Sequence, residues 1–523
     1  MIGRRTAIGF ALVAAGSLAV LWLSNLPLGV PGEWEWDRIP AARDEWAAVL
    51  LGCFLPGLIG GLYIALTLIG VRRLEGAPRW QIAAWLSGLT IGGFAWLWAV
   101  QDSPARPEYA MTKTAWALYF PGPEGYFDQA RHQMRDVPSY LAGYEKLMAQ
   151  GDVLHLGTHP PGLMLFHRGC INLCANVPAI RNFLLQTQPA AFKQALDVSE
   201  EVNRARPNGN RPNEITPNDR AALWLAAIIT QTLAAAALIP IYLLVRRDHA
   251  RPIAWLTASI WPLVPALAVF LPKSDALLPF FATLFLWLWL AGFRLGRLGL
   301  CFLAGATFWL AMFLSLAILP IGAAAALLTL WEAVICAKRE RMSIRPRDWA
   351  ARIGAAGIGW GLPVVALGVL FKLNLLGVWR LNYHNHAGFY HHYVRTYWLW
   401  LIANPIELVF ALGAPLAIAA VLGVWFQLKS GWRRRAAGPA WCLTAVWLLL
   451  WLSGKNMGEA ARLWLIVMPW AVWLAAGYFA ACSEPTQPGD DGRLVNRAAL
   501  LLLALEMIVC LGTVMRVAGF RWA

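Results

Sequence analysis

The chain reads as an all-α integral membrane protein, a polytopic bundle of about 13 transmembrane helices with a helical first large loop on the exoplasmic side. Three observations predict this class. The 523 residues are 59% apolar with 30 tryptophans, and the mean hydropathy of +0.52 is too high for a soluble domain. Apolar windows of about 18 residues recur along the chain, each long enough to cross a hydrocarbon core of about 30 Å. In lipid such segments must be helical, because every backbone amide needs a partner within the segment. Finally, short basic clusters fall at alternate span ends, as the positive-inside rule requires.

Taken in order, the spans start near Ala7, Trp46, Gln81, Ala221, Pro252, Ala276, Gly299, Leu316, Ile353, Pro405, Trp441, Leu463 and Ala498. Pro320 interrupts the apolar run between Phe302 and Ile321, so the division between the two spans that meet there is open. Arg4-Arg5 ahead of the first span resembles the start of a signal peptide, but no small-residue cleavage site follows it, and the segment is expected to stay as a helix. The basic clusters are Arg4-Arg5, Arg72-Arg73, Arg246-Arg247, Arg294 with Arg297, Lys338-Arg339-Arg341, Arg345 with Arg347, and Arg433-Arg434-Arg435. They place the N-terminus in the cytoplasm. Because they are spread over short turns, they account for the net charge of +15 without nucleic acid.

The polar residues then collect on the opposite, exoplasmic side. Of nine histidines, all but His249 fall there: His132, His155, His159 and His167 in one segment, and His384, His386, His391 and His392 in another. The first large loop, Gln101 to Asp219, opens with the aromatic, acidic stretch Tyr119 to Asp128. An amphipathic run over Val137–Met148 comes next, and Pro160-Pro161 is placed to start a short helix. The stretch from Gln186 to Asp219 reads as a loose loop with one short helix. Further segments are Lys372 to Thr396, Ser453 to Arg462 and the tight turn Pro272-Lys273-Ser274-Asp275. Ser483 to Asn496 reads as a cytoplasmic linker.

Glu124, Asp128, Asp275, Glu407 and Glu459 lie near exoplasmic span ends, where an ionisable group is costly and is usually paired or functional. Three of them also have a structural explanation. Ser274 or Asp275 suits a helix cap, and Glu407, after Asn404-Pro405, suits the dipole of a first helical turn. Glu459 and Arg462, three apart, suit a local ion pair. Arg462 is equally fitted to phosphate, since its planar fork matches two oxygens. The histidines from His384 to His392 lack an acidic partner among them, so phosphate or sugar contacts are as plausible as metal. His167, Cys170 and Cys174 share one helix face, but a metal site there needs a fourth ligand and an unusual spacing; packing is expected. No Walker loop, dinucleotide fingerprint, nucleophile elbow or H-E-x-x-H is present. A lipid-linked substrate would make a nucleotide-binding domain unnecessary.

The order of these elements resembles the GT-C superfamily of multi-spanning glycosyltransferases, in particular the branch with protein O-mannosyltransferases and the aminoarabinose transferase of lipid A. The resemblance runs over about Gln81 to Ala480 and rests on four motifs: Glu124-Gly125-Tyr126-Phe127-Asp128-Gln129-Ala130-Arg131, His159-Pro160-Pro161, Ser274-Asp275-Ala276-Leu277-Leu278 and Gly458-Glu459-Ala460-Ala461-Arg462-Leu463-Trp464. It implies a GT-C-like core over 81–480 with its exoplasmic loop at 101–219. Residues 1–80 are then two additional N-terminal helices, a departure from the family pattern, and 481–523 a cytoplasmic linker and last helix. The acid a few residues before the tyrosine favours Glu124 as the catalytic base, while Asp128 fits an acid one turn later.

The expected activity is transfer of a sugar, hexosyl or pentosyl, from a polyprenyl-phosphate donor to a glycan, lipid or protein acceptor, by direct inverting displacement. Glu124 or Asp128 would act as base, with Asp275 as a second carboxylate. His159, Lys273, His384, His386, Lys455, Glu459 and Arg462 would bind donor phosphate or substrate. No cofactor is assigned, a divalent cation being left open, and no protein metal ligands are assigned. The setting implied is a bacterial cytoplasmic membrane with the active face outward. A transporter or flippase is the main rival; it would need polar or charged residues near mid-membrane, or broken helices in two repeated halves, and the sequence is expected to have neither. A polysaccharide polymerase or ligase shares the setting, and a non-catalytic scaffold leaves the acidic turns unexplained.

Overall fold

The computed structural model describes residues 4–40, 45–205, 214–336, 345–431, 436–483 and 493–519. The clusters Lys338-Arg339-Arg341 and Arg433-Arg434-Arg435 and most of the Ser483 to Asn496 linker lie outside them. Among the described residues, eight helices are long and apolar enough to cross a membrane, or nine if the bent pair Tyr397–Leu412 and Ala414–Lys429 forms one span. This is fewer than the expected 13 or so, and proline and length explain much of the difference. The segment expected as a span from Pro252 is broken into Arg251–Ala258, Trp261–Leu263 and Pro265–Phe270, at prolines that cannot donate to a helix ladder. Leu298–Leu314 and Ala437–Leu452 are helical but short, and the stretch from Leu463 becomes turns followed by Pro469–Ser483.

The broken segment is deeply buried. Trp255, Trp261, Leu263, Val264 and Leu267 are wholly buried, and the breaks leave indoles and carbonyls that bond outward to the surrounding helices. Trp255 donates to Thr67 O at 2.8 Å, Trp261 to Ala234 O at 2.7 Å, and Tyr63 to Ser259 O at 2.8 Å. An unmade bond in such an interior would cost about 1–3 kcal/mol. This anchored segment delivers Lys273, Ser274 and Asp275 to the end of the Ser274–Leu295 span. Around it, small residues let helices close in. A Cβ on Gly305 would stand 1.9 Å from Ala356 O, and one on Gly359 2.0 Å from Phe302 O, the close packing that glycine allows between membrane helices.

One end of the bundle carries a layer of short helices. Val137–Met148 is helical as expected, capped by Asp136, and Gly162–Asn176 starts directly after Pro160-Pro161. The tail expected as a loose loop with one short helix contains the helix Ala190–Ala205, 16 residues long. The histidine-rich segment is the helix Leu375–His392. A two-stranded hairpin, Gly29–Val30 with Trp34–Glu35, covers part of this end. The first and last helices meet beside it, where Trp22 donates to Gly512 O at 3.1 Å, and the segments after them join where Ile39 N donates to Arg516 O at 2.9 Å.

Two expectations about charge fail. Glu407 sits in the second half of Tyr397–Leu412, beyond the reach of a helix-start dipole, because the helix begins eight residues before Pro405 and keeps that proline inside. Glu506, wholly buried within Arg493–Val514, shows that an acid does lie inside a span. The 106° bend at Gly413 is likewise a broken helix. The two features solve each other: Glu506 Oε2 accepts from Leu416 N at 3.1 Å, capping the helix that restarts after the bend.

Candidate active site

Pro121-Gly122-Pro123 forces a turn that ends at Gly125, whose φ of +73° starts the Tyr126–His132 helix. This left-handed conformation favours glycine. The turn points Glu124 inward. Its carboxylate is 3% exposed, and Oε1 accepts from Ser274 N at 2.5 Å and Ser274 Oγ at 2.9 Å. Oε2 is buried and has no hydrogen-bond partner. Ser274 therefore does not cap its own turn as the sequence suggested; its hydroxyl serves Glu124, and the Ser274–Leu277 turn has no side-chain cap.

Beside Glu124 lie two cations and two further acids. Lys273 is 2% exposed. Arg462 Nη2 pairs with Glu459 Oε2 at 2.6 Å, while its Nε lies 3.6 Å from Asp275 Oδ2 and makes no hydrogen bond. Burial pushes the Glu124 carboxyl up to about 7, with Lys273 and the Ser274 amide opposing and Asp275 adding to the rise. Burial also draws Lys273 down to about 8, helped by Arg462. Arg462 itself is raised, Glu459 and Asp275 outweighing the cost of burial.

Two histidines and a tyrosine wall the cluster. His155 Nε2 lies 3.1 Å from Gly122 O and so supports the turn that aims Glu124. The Tyr126 ring packs edge-on to His155 and His159, at 6.2 and 5.5 Å. Burial holds His155 well below its ordinary value, with Arg462 adding to the effect, and His159 is lowered for the same first reason. The 155–161 turn is seated by Asn382, which donates to Gly157 O at 2.9 Å, and by Asn385, which donates to the same oxygen at 3.0 Å.

The sequence-derived residues thus divide. Glu124, Lys273, Asp275, Glu459, Arg462 and His159 come together. Asp128, one turn along its helix, faces His132 at 3.8 Å. Lys455 lies over the Tyr383 ring at 4.7 Å. His384 is exposed, whereas His386 is half-buried and held at about 4 by burial, with Lys455 and His159 contributing. Among the described residues, no three His, Cys, Asp or Glu are placed to hold a metal ion. His167 and Cys170 are buried, the His167 ring packing on Phe127 and Phe166 at 5.9 and 5.1 Å.

The sequence reading missed Ser274 as a ligand of Glu124, His155, Tyr126, and the asparagines that seat the histidine turn. Asn382 and Asn385 lie three apart on one face of an otherwise histidine-rich helix. That spacing was the available signal.

No protein-family model matches the chain, and no curated protein does. Among solved structures, it is similar to a crystal structure of the Archaeoglobus fulgidus oligosaccharyltransferase in complex with Zn and sulfate. That likeness has 13% identity and a TM-score of 0.40, covering 74% of this chain and 50% of that one. It is also similar to the archaeal oligosaccharyltransferase AglB from Archaeoglobus fulgidus in complex with an inhibitory peptide and a dolichol-phosphate. There the identity is 12% and the TM-score 0.39, covering 74% of this chain and 52% of that one. The chain spans about half the length of the solved structures it matches, and a likeness of this depth assigns neither family nor activity.

Proposed function

We propose that this protein is a membrane glycosyltransferase that moves a sugar from a polyprenyl-phosphate donor to an acceptor hydroxyl at the outer face, with Glu124 as the base. The observation that carries the reading is the Glu124 carboxylate, with one oxygen fixed by Ser274 and the other buried and unpartnered beside Lys273, Asp275 and Arg462. A fixed carboxylate with a spare lone pair suits proton abstraction, and an elevated affinity for protons suits general-base work near neutral pH. The guanidinium of Arg462, tethered on one side by Glu459 and with Nε unbonded, suits a departing phosphate, where placed positive charge stabilises the transition state most. Lys273 adds a second cation. Asp275 supports the acceptor side, and His159 and His386 line the approach. Asp128 is the weaker candidate for base because its partner is His132.

The experiment is to give the purified protein, in lipid nanodiscs, a panel of radiolabelled polyprenyl-phosphate sugars. Consumption of lipid-linked label by the native chain and its loss in Glu124→Gln support the reading. Intact label with every donor, together with movement of the same lipids across vesicle membranes, would replace it with a flippase.

A further inference from the structure

The turn that presents Arg462 is built from backbone that does not hold itself. Gly458 and Glu459 have φ of +86° and +54°, and a non-glycine residue in that region costs about 1–2 kcal/mol. Such conformations persist only where their surroundings over-determine them. The next element along the chain is the single helical turn Ala460–Leu463, too short to be stable alone.

Its support comes from elsewhere in the chain. Glu407 is 1% exposed, and its Oε1 accepts from Ala461 N at 3.0 Å. The same oxygen accepts from Trp36 Nε1 at 2.9 Å, and Trp36 is itself buried next to the N-terminal hairpin. The hairpin is clamped in turn. Glu33 accepts from Thr396 N at 3.0 Å and from Trp400 Nε1 at 2.6 Å, and Arg395 donates to Glu33 O at 2.6 Å. Arg395 and Trp400 also close around the turn: a Cβ on Gly458 would lie 3.3 Å from Arg395 Nε and 3.4 Å from a Trp400 ring carbon.

We propose that Glu407, held by Trp36, is a positioning residue that fixes the backbone of the Arg462 turn and thereby sets the affinity of the site for a lipid phosphate. The proposal rests on the function proposed above for Arg462. It gives the N-terminal hairpin a role in the site, although neither Trp36 nor Glu407 reaches substrate. Removing the carboxylate leaves the Ala461 amide buried without an acceptor, and the left-handed Glu459 then has less to hold it.

The test uses the full chain in nanodiscs, with polyprenyl phosphate lacking any sugar as the probe. Trp36→Phe and Glu407→Leu should each weaken its binding about tenfold, and Glu407→Gln, which keeps an acceptor oxygen, should restore most of the loss. In an Arg462→Ala background, neither Trp36→Phe nor Glu407→Leu should weaken binding further, since coupled residues are not additive. Hydrogen exchange over residues 456–464 should speed up in Trp36→Phe while that of Leu278–Leu295 stays unchanged. Additive losses, unchanged exchange, or a loss equal in Glu407→Gln and Glu407→Leu would overturn the proposal. If polyprenyl phosphate binds as described but no sugar is transferred, the glycosyltransferase reading falls and the positioning role stands.

Discussion

At the scale of single residues, function turns on where protons sit. With its carboxyl raised to about 7, Glu124 is protonated in acid and ionised above neutrality, and only the ionised form accepts a proton. The rate at low substrate should therefore fall as pH drops below about 7, where an ordinary carboxylate would hold its activity down to about 4. A pH–rate profile with its acid limb near 4 would exclude Glu124 as base. Glu124→Gln should lower turnover by about 10²–10⁴-fold with little change in melting temperature. Arg462→Lys keeps the charge and loses the fork. Charge-assisted hydrogen bonds are worth about 1.5–3 kcal/mol, so catalytic efficiency should fall about tenfold to a hundredfold. Full activity in that variant would remove Arg462 from the phosphate site.

Several of these residues are legible in the sequence because each advertises itself locally. Glu124 follows Pro-Gly-Pro, Asp275 and Lys273 share a turn between apolar runs, and Glu459 and Arg462 are three apart. Glu407 could not be read in the same way. Its partners Trp36 and Ala461 are 371 and 54 residues away, and nothing local distinguishes an acid that caps a distant turn from one that suits a helix dipole. Asp128 is the opposite case, since its neighbour His132 on the same helix lies 3.8 Å from it.

At the scale of elements, the long helices were legible and their interruptions were not. Apolar length marks a span, but whether a proline such as Pro252, Pro262 or Pro265 ends it depends on whether surrounding helices satisfy the carbonyls it frees. Here Tyr63 does so by donating to Ser259 O, while Trp255 and Trp261 of the broken segment tie it outward to Thr67 O and Ala234 O. The bend at Gly413 obeys the same rule through Glu506. Glu506→Ala should cost about 1–3 kcal/mol by leaving the Leu416 amide buried and unpaired, and Glu506→Gln should cost less. A denaturation series that finds the two variants equal would show that the carboxylate is not the cap. Gly413→Ala should be worse than an ordinary glycine replacement, because φ is +86° and a Cβ would stand 1.9 Å from Glu506 Oε1.

At the scale of the whole molecule, the site end draws on residues from 1–80, 81–480 and 481–523 alike, among them Trp36, Glu124 and Ala518. Which side of the membrane that end faces follows from the basic clusters alone. His391 is exposed at the site end and Arg297 at the other. A cysteine at His391 should react with an impermeant maleimide in intact cells, and one at Arg297 only after lysis. The reverse pattern would invert the topology. Asn385 would be a poor probe, being only 5% exposed.

The clasp between the first and last helices has a consequence for how the protein is made. Lys113, beside the site loop, donates to Val269 O at 2.5 Å and to Ala518 O at 3.0 Å, and Ala518 N donates to Asp37 O at 2.9 Å. The hairpin and the loop therefore cannot reach their final positions while residues 514–518 are still inside the ribosome. Translation delivers the candidate catalytic carboxylate early and the piece that locks its surroundings late, so a nascent chain is inserted well before it is competent. A chain stalled or cut before Arg493 should integrate into the membrane with normal spans up to that point, yet stay protease-sensitive over the hairpin and transfer no sugar. Supplying the 493–519 helix as a separate polypeptide would then complete the clasp in trans.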